Sequence, residues 1–179
     1  MRVNDLTFRF GENTIFENYT LEINSPVTCI MGVSGRGKTT LLKLMAGLLE
    51  PDGGTVENKP VKPAMMFQED RLLPWVSVLK NVELVCDDHE KAKNLLSELE
   101  IDENMYPHEL SGGMARRVAL ARCLALDSDV LLLDEPFTGL NAQLIEKAAG
   151  LILAQNKPVI VSTHSQQEAA ALQGTIVML

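Results

Sequence analysis

Apolar residues follow two different periods along this chain. Near the start they alternate with polar residues, which predicts a strand over residues 2–10, a turn at 11–13 and a second strand at 19–23. Further along, short apolar runs alternate with helical patterns, an order typical of a parallel sheet with helices on its faces. The elements predicted there are strands at 129–134, 158–162 and 175–179 and helices at 142–154 and 166–172.

The middle of the chain changes character. An apolar run predicts a buried strand at 27–31, helix formers follow at 41–46, and short strands are expected at 55–57 and 64–67. Residues 72–105 then carry two helical patterns, at 77–82 and, rich in charge, at 88–99, which we interpret as a small helical insertion.

A glycine-rich loop lies between the strand at 27–31 and the helix at 41–46. It has the form G-x-x-x-x-G-K-[ST], in which backbone N–H groups surround phosphate oxygens at a helix N-terminus. Lys38 is expected to bind the β- and γ-phosphates and the Thr39 hydroxyl to bind Mg²⁺. A chance glycine-rich turn is the alternative, and the flanking strand and helix disfavour it. The predicted triphosphate site comprises Gly32, Val33, Ser34, Gly35, Arg36, Gly37, Lys38, Thr39 and Thr40.

Composition narrows the classes of partner. The chain has 179 residues, of which 46% are hydrophobic, so one domain with a sizeable core is expected. Its formal net charge of −8 argues against nucleic acid as the main partner. No apolar run approaches the roughly 20 residues of a membrane span. The three scattered cysteines are interpreted as reduced thiols of a cytosolic protein.

Two carboxylates follow the apolar run at 130–133. Pro136 cannot donate to a sheet ladder, so the strand should end before it and leave Asp134 and Glu135 at the carboxyl edge of the sheet. Asp134 suits the Mg²⁺ shell, and Glu135 suits a base that polarises water. The alternative is an acidic pair that merely caps a helix.

A third motif begins a helix at 110–122. Ser111 is a favourable N-cap, and Gly112 and Gly113 expose the N–H groups of the first turn. This predicts an anion site with no anion assigned to it in its own chain, or else an ordinary capped helix start.

In order with the other two motifs, this stretch resembles the signature of ABC transporter ATPases. Gln68 resembles that family's Q-loop residue, residues 138–141 its D-loop, and His164 its switch histidine. The resemblance covers nearly the whole chain. It implies an α/β P-loop NTPase with a mixed central sheet, N-terminal antiparallel strands and a small inserted helical subdomain. A single domain, 1–179, would then comprise a RecA-like core (1–71 and 127–179) and a helical subdomain (72–126) that carries the signature.

The resemblance also implies roles for individual residues. Phe10 would stack on adenine, although a plain core role is the alternative. Mg²⁺ would be surrounded by Thr39, Gln68 and Asp134, directly or through water. Glu135 would orient the hydrolytic water, and His164 would contact the γ-phosphate of ATP. The family's ATPase domains dimerise head to tail, so that each closes over ATP held by its partner with Ser111, Gly112 and Gly113.

The segment after Gln68 narrows the subfamily. Residues 68–75, followed by Val78 and by Asn81 and Val82, resemble the corresponding segment in importers of sulfonates, taurine, nitrate and pyrimidine precursors. In such proteins this region receives a helix of the permease. Trp75 with residues 72–73 would either dock that helix or pack inside the helical subdomain. Implied partners are a second ATPase domain, a transmembrane permease and, indirectly, a solute-binding protein, which would place the chain at the cytoplasmic face of the membrane.

Several residues depart from the family pattern. Met114 stands where Gln is usual and Asn141 where Asp is usual, so we expect weaker or slower dimer closure with ATP binding retained. Arg36 is uncommon in the loop, and its side chain should point to solvent. The chain is short for the family, and no regulatory C-terminal domain is expected.

The sequence therefore predicts the ATP-hydrolysing subunit of an ABC importer for a small solute. One alternative is a stand-alone ABC ATPase acting on nucleic acid or ribosomes, which the acidic charge disfavours. Another is an ATP-dependent binding module without turnover, which Glu135 and His164 disfavour. A small-molecule kinase would leave the signature motif unexplained.

Overall fold

The structure is a computed structural model that describes residues 1–179. Its boundaries agree with most of the predicted elements, although the second strand begins earlier than expected, at Asn13. A short 3₁₀ helix, Pro107–Glu109, precedes α4. The strands and helices are β1 (Arg2–Phe10), β2 (Asn13–Glu22), β3 (Val27–Met31), α1 (Lys38–Met45), β4 (Gly53–Glu57), β5 (Pro63–Met66), α2 (Val78–Glu83), α3 (His89–Glu98), α4 (Gly112–Ala125), β6 (Val130–Asp134), α5 (Ala142–Leu153), β7 (Val159–Thr163), α6 (Gln166–Ala171) and β8 (Thr175–Met178).

The strands form two separate sheets. Three of them make an antiparallel sheet in the order β2-β1-β4, and five make a second sheet in the order β5-β6-β7-β3-β8. All pairs in the five-stranded sheet are parallel. The predicted P-loop fold class is confirmed. We expected parallel and antiparallel strands within one central sheet. Instead, the central sheet is parallel throughout, and the antiparallel strands form a sheet of their own.

The two faces of the parallel sheet have different cores. Side chains of successive strand residues point to opposite faces, and β6 shows this clearly. Val130 and Leu132 pack in a cluster with the antiparallel sheet and α1. Leu131 and Leu133 pack in a larger cluster with α2 to α6. The parallel sheet is thus buried on both faces, and a ligand can approach at the carboxyl ends of its inner strands β3, β6 and β7.

Helices α2, α3 and α4 pack against one another and continue the larger core. Division of the chain into a core and a helical subdomain at residues 72–126 stays a prediction. Five of the six α-helices begin at a residue whose side chain accepts a hydrogen bond from the first turn: Ser77, Asp88, Ser111, Asn141 and Ser165. No helix is both long and apolar enough to span a bilayer.

Candidate nucleotide-binding site

The phosphate loop joins β3 to α1 at the carboxyl edge of the parallel sheet. The Lys38 ammonium group folds back across this loop and donates to the carbonyl oxygens of Gly32 at 2.8 Å and Val33 at 3.2 Å. Lys38 is buried, so its charge is held inside the loop instead of in solvent. The Arg36 side chain is exposed, as predicted.

Helix α1 is the one α-helix whose first turn receives no side-chain cap. Its N-cap residue is Gly37, whose φ of 95° lies in the left-handed region that favours glycine. A Cβ there would lie 2.7 Å from Cγ2 of Ile15 and 2.9 Å from Cζ of Phe16. The N–H groups of the first turn are therefore left to an anion, and the antiparallel sheet packs closely against the loop.

A chain of hydrogen bonds connects α1 to two strand ends. The Thr39 hydroxyl donates to Oδ2 of Asp134 at 2.6 Å, and the Ser162 hydroxyl donates to Oδ1 of the same carboxylate at 2.5 Å. Asp134 and Ser162 are buried, and they pair across β6 and β7. Asp134, the last residue of β6, is thus held with one oxygen toward the phosphate loop.

Glu135 follows β6 in a strained conformation. Its φ is 50°, a region that residues with a Cβ seldom adopt. Its N–H donates to both oxygens of Ser162, at 3.1 Å to the carbonyl and 3.0 Å to the hydroxyl. This left-handed backbone ends β6 at Asp134, and Glu135 begins the loop that follows.

A cavity of about 210 Å³ lies against the phosphate loop. Gln68 and Glu135 line this cavity together with the loop. In sequence, Gln68 lies 33 residues after Gly35, and Glu135 lies 97 residues after Lys38. The arrangement presents an ammonium group, hydroxyls and N–H groups opposite a carboxylate and a carboxamide. The lining residues are Ile15, Ser34, Gly35, Gly37, Lys38, Thr39, Thr40, Gln68 and Glu135.

Phe10 and His164 are among the predicted site residues that lie outside this cavity lining. Phe10 is 52% exposed at the end of β1 and contacts Phe8 edge-on, with ring centroids 4.9 Å apart, so the plain core alternative is wrong. His164 is exposed just after β7. The hydroxyl of its neighbour Thr163 donates to Glu168 and accepts from the N–H of Ser165 at 3.0 Å.

The signature motif begins α4 as expected. Ser111 accepts a hydrogen bond from the N–H of Met114 at 3.3 Å and is exposed together with Gly112. Gly113 packs against the D-loop, since a Cβ on it would lie 2.7 Å from the carbonyl oxygen of Gly139. Asn141 accepts from the N–H of Leu144 at 3.0 Å and so caps α5. These residues do not line the cavity of their own chain.

The segment after Gln68 is held by a buried asparagine. Asn81 accepts from the N–H of Leu73 at 2.7 Å, and its amide group donates to the carbonyls of Leu73, Val76 and Ser77. Trp75 on this loop is 72% exposed, whereas Leu72 packs against the larger core. Packing inside the helical part is therefore right for Leu72 and wrong for Trp75, and docking of a permease helix at Trp75 stays a prediction.

Three residues at the site were not found by sequence reasoning. Ile15 on β2 lines the cavity, and its only signal was its place in an apolar alternation. Ser162 holds Asp134 and Glu135, yet serine at a strand end carries little information by itself. Arg116 is buried and donates to backbone carbonyls at Gln68 and Glu135. Its one signal was its position four residues before Leu120 on the apolar face of α4.

The fold and the site together define a P-loop nucleoside triphosphatase, because a strand-end aspartate binds the threonine of a phosphate loop on a parallel sheet. Residues 16–138 match the ABC transporter family. The chain belongs to that family, and the predicted class of ATP-hydrolysing enzyme is confirmed.

Proteins similar in sequence and a solved structure similar in fold are both known. Aliphatic sulfonates import ATP-binding protein SsuB 1 of Rhodococcus jostii is 40% identical over 187 residues, which cover 96% of this chain and 75% of that protein. SsuB of Corynebacterium glutamicum is 38% identical over 192 residues, covering 99% and 79% respectively. The dimeric ATP-binding cassette MJ0796, solved in a post-hydrolysis state with ADP and Pi, superposes with a TM-score of 0.86 at 28% identity, covering 99% of this chain and 93% of that one.

Proposed function

We propose that this chain hydrolyses ATP to drive import of a small, sulfonate-like solute through a membrane permease. One observation carries the proposal: the Thr39–Asp134 hydrogen bond joins the phosphate loop to a strand end whose next residue, Glu135, lines the same cavity. The named function of the SsuB relatives supports import of an aliphatic sulfonate. ATP is the nucleotide expected from the family.

The residues of the cavity suit the chemistry of phosphoryl transfer. Lys38 and the N–H groups of α1 would bind the β- and γ-phosphates, and Gly32 to Thr40 would enclose them. Hydroxyl, carboxylate and carboxamide oxygens form the donor set that Mg²⁺ prefers, and they fit that ion here. Thr39, Asp134 and Gln68 would hold it, directly or through water. Bound there, Mg²⁺ would neutralise charge between the β- and γ-phosphates.

Glu135 is proposed to orient the attacking water. Its carboxylate belongs to the cavity that holds the phosphate loop, and the strained backbone directs it there. A carboxylate so placed can accept a proton from water as the oxygen attacks the γ-phosphate. His164 would contact the γ-phosphate from the end of β7, and Phe10 would stack on adenine through its exposed ring.

We further propose that two copies of the chain close over ATP. The exposed first turn of α4 offers Ser111, Gly112 and Gly113 to an anion that its own cavity does not supply. MJ0796, the cassette with the similar fold, is dimeric. Gly139 of the D-loop packs beside Gly113. Asn141 in the same loop would therefore lie at the same interface.

The permease is proposed to dock beside Trp75. A groove of about 350 Å³ lies between the segment after Gln68 and the ends of α2 and α4. Apolar side chains, among them Met66, Leu73 and Leu84, line it, and charged groups flank it at Glu69 and Arg122. An amphipathic helix of the permease fits this chemistry and would hold the chain at the inner face of the membrane. A solute-binding protein would select the solute outside.

The proposal is tested by the mass in solution of the Glu135→Gln variant with and without ATP and Mg²⁺. Removing the base should trap ATP, and trapped ATP should join two copies, so the mass should double only with ATP. Ser111→Arg in the same background is the matched control, because its long side chain fills the space meant for the partner's phosphates. That control should stay monomeric.

Three results would count against parts of the proposal. A Glu135→Gln variant that remains monomeric with ATP bound contradicts closure by the chain alone. A wild-type chain that binds ATP but does not hydrolyse it, alone or with its permease, identifies a binding module. Tight, salt-sensitive binding to nucleic acid or ribosomes would favour a stand-alone ATPase instead.

A further inference from the structure

We propose that Arg116 is a positioning residue that holds two segments, one carrying Gln68 and one carrying Glu135, to the signature helix α4. We call these segments the two catalytic loops. It lies on α4, four residues beyond Gly112, and is 3% exposed. A buried guanidinium needs partners for its donors, and every partner here lies near the candidate site. The inference rests on the proposed function, because positioning matters only if Gln68 and Glu135 act on ATP.

One side of the guanidinium binds the segment that carries Gln68. Nη1 of Arg116 donates to the carbonyl oxygens of Phe67 at 2.7 Å and Gln68 at 3.1 Å. The same nitrogen donates to Oδ1 of Asp70 at 2.9 Å, which balances the buried charge. The peptide of Gln68 is thereby fixed to α4 across 48 residues of sequence.

The other side binds the loop that carries Glu135. Nε and Nη2 donate to the carbonyl oxygen of Glu135 at 3.1 Å and 3.0 Å, and Nη2 also donates to that of Asp134. Glu135 has a left-handed backbone, which is unfavourable for a residue with a Cβ unless its surroundings hold it. Arg116 holds its carbonyl, while Ser162 holds its N–H.

A single planar group therefore joins three parts of the molecule. The guanidinium presents its donors in a rigid fork, so neither loop can shift against α4 without breaking several hydrogen bonds. The first turn of α4 is the part proposed to contact ATP of the partner copy. Movement of that helix would reach Gln68 and Glu135 through Arg116, which connects the partner's nucleotide to the catalytic residues of this chain.

Arg117 provides a matched control. It is the next residue on α4, and its guanidinium also binds backbone carbonyls, those of Leu99 at 2.5 Å, Glu100 at 3.2 Å and Gly113 at 3.3 Å. These acceptors lie within the helical part of the chain. Replacing Arg117 removes similar hydrogen bonds from the same helix and touches neither catalytic loop.

The first test compares ATP turnover and ATP binding in Arg116→Gln, Arg116→Lys and Arg117→Gln. We expect kcat of Arg116→Gln to fall on the order of 10²-fold, as small displacements of catalytic groups do. Its Kd for ATP should change by no more than about twofold, because Arg116 bonds to no residue of the phosphate loop. Arg116→Lys should not restore kcat, since an ammonium group lacks the planar fork. The inference would be overturned if Arg116→Gln had the kcat of the wild type at a temperature at which the variant is folded.

The second test is amide hydrogen exchange of the same three variants without nucleotide, which needs no turnover. Arg116→Gln should exchange faster over residues 66–72 and 133–140, and β1 and β2 should be unaffected. Arg117→Gln should leave both segments as in the wild type. A uniform rise over the whole chain would mean that Arg116 only stabilises the fold. If the wild type hydrolysed no ATP, the proposed function would fail, and this exchange pattern would still decide whether Arg116 fastens the two loops.

Discussion

Thr39 and Asp134, which are 95 residues apart in sequence, share a 2.6 Å hydrogen bond between hydroxyl and carboxylate. The bond connects the first turn of α1 with the end of β6. Both groups are also the expected Mg²⁺ ligands, so this bond holds them within reach of the same ion.

Ser162→Ala should weaken the binding of Mg²⁺ without removing one of its proposed ligands. The serine hydroxyl orients Asp134 at 2.5 Å, and loss of such a supporting bond lowers metal affinity by about tenfold. The Mg²⁺ concentration for half-maximal ATPase activity should therefore rise by about that factor. Ser77→Ala, which removes a helix cap far from the site, is the control for stability. An unchanged Mg²⁺ requirement in Ser162→Ala would contradict this role.

Asn81→Ala should loosen the loop that carries Trp75. The asparagine is buried, and its loss leaves the N–H of Leu73 without a partner, at a cost of about 1–3 kcal/mol. Trp75 is the only tryptophan of the chain, so its fluorescence anisotropy reports on this loop. We expect the anisotropy to fall. Asn94→Ala, at an exposed position of α3, should leave it unchanged, and an equal anisotropy in both variants would sink the prediction.

Gly113→Ala should separate the signature helix from the D-loop. The new Cβ would lie 2.7 Å from the carbonyl oxygen of Gly139, a backbone atom that cannot move cheaply. Overpacking of this kind costs about 1–3 kcal/mol, which urea unfolding would detect. The neighbouring Gly112 has open space around its Cβ position, so Gly112→Ala should keep or slightly raise stability. Equal unfolding free energies for the two variants would refute the contact.

Stability should fall in alkaline solution because of a buried thiol. Burial raises the pKa of Cys123 from 9.0 to about 12, so the folded state keeps it protonated while the unfolded chain ionises. Its contribution is complete below pH 9 and is lost as the pH rises toward 12. The loss is at most about 1.4 kcal/mol per pH unit.

Cys123→Ala is the comparison that isolates this effect. Urea unfolding at several pH values above 9 should show a shallower decline for the variant than for the wild type. Cys29, whose pKa is raised to about 11 by burial and by Glu168, ionises over an overlapping range and remains in both proteins. Parallel declines would show that Cys123 does not contribute.

Short-range features of the sequence determined the elements and the nucleotide chemistry. The phosphate loop consists of nine consecutive residues. The conformations of Gly37 and of the N-cap Ser111 depend on neighbours within a few positions. Alternation and helical periodicity likewise placed β1 at residues 2–10 and β6 up to Asp134. Backbone sterics and local hydrogen bonds set such features, so they can be predicted without knowledge of the rest of the chain.

Long-range packing decided the remainder. Periodicity identifies strands but not their partners, so only the structure placed β8 beside β3 and kept the antiparallel strands in their own sheet. The exposure of Phe10 and Trp75 likewise depends on what surrounds them in space. Arg116 resembles any arginine on a helix until its acceptors, up to 49 residues away, are brought to it. Contacts between distant residues arise only when the chain is folded, because no local pattern specifies which distant groups will meet.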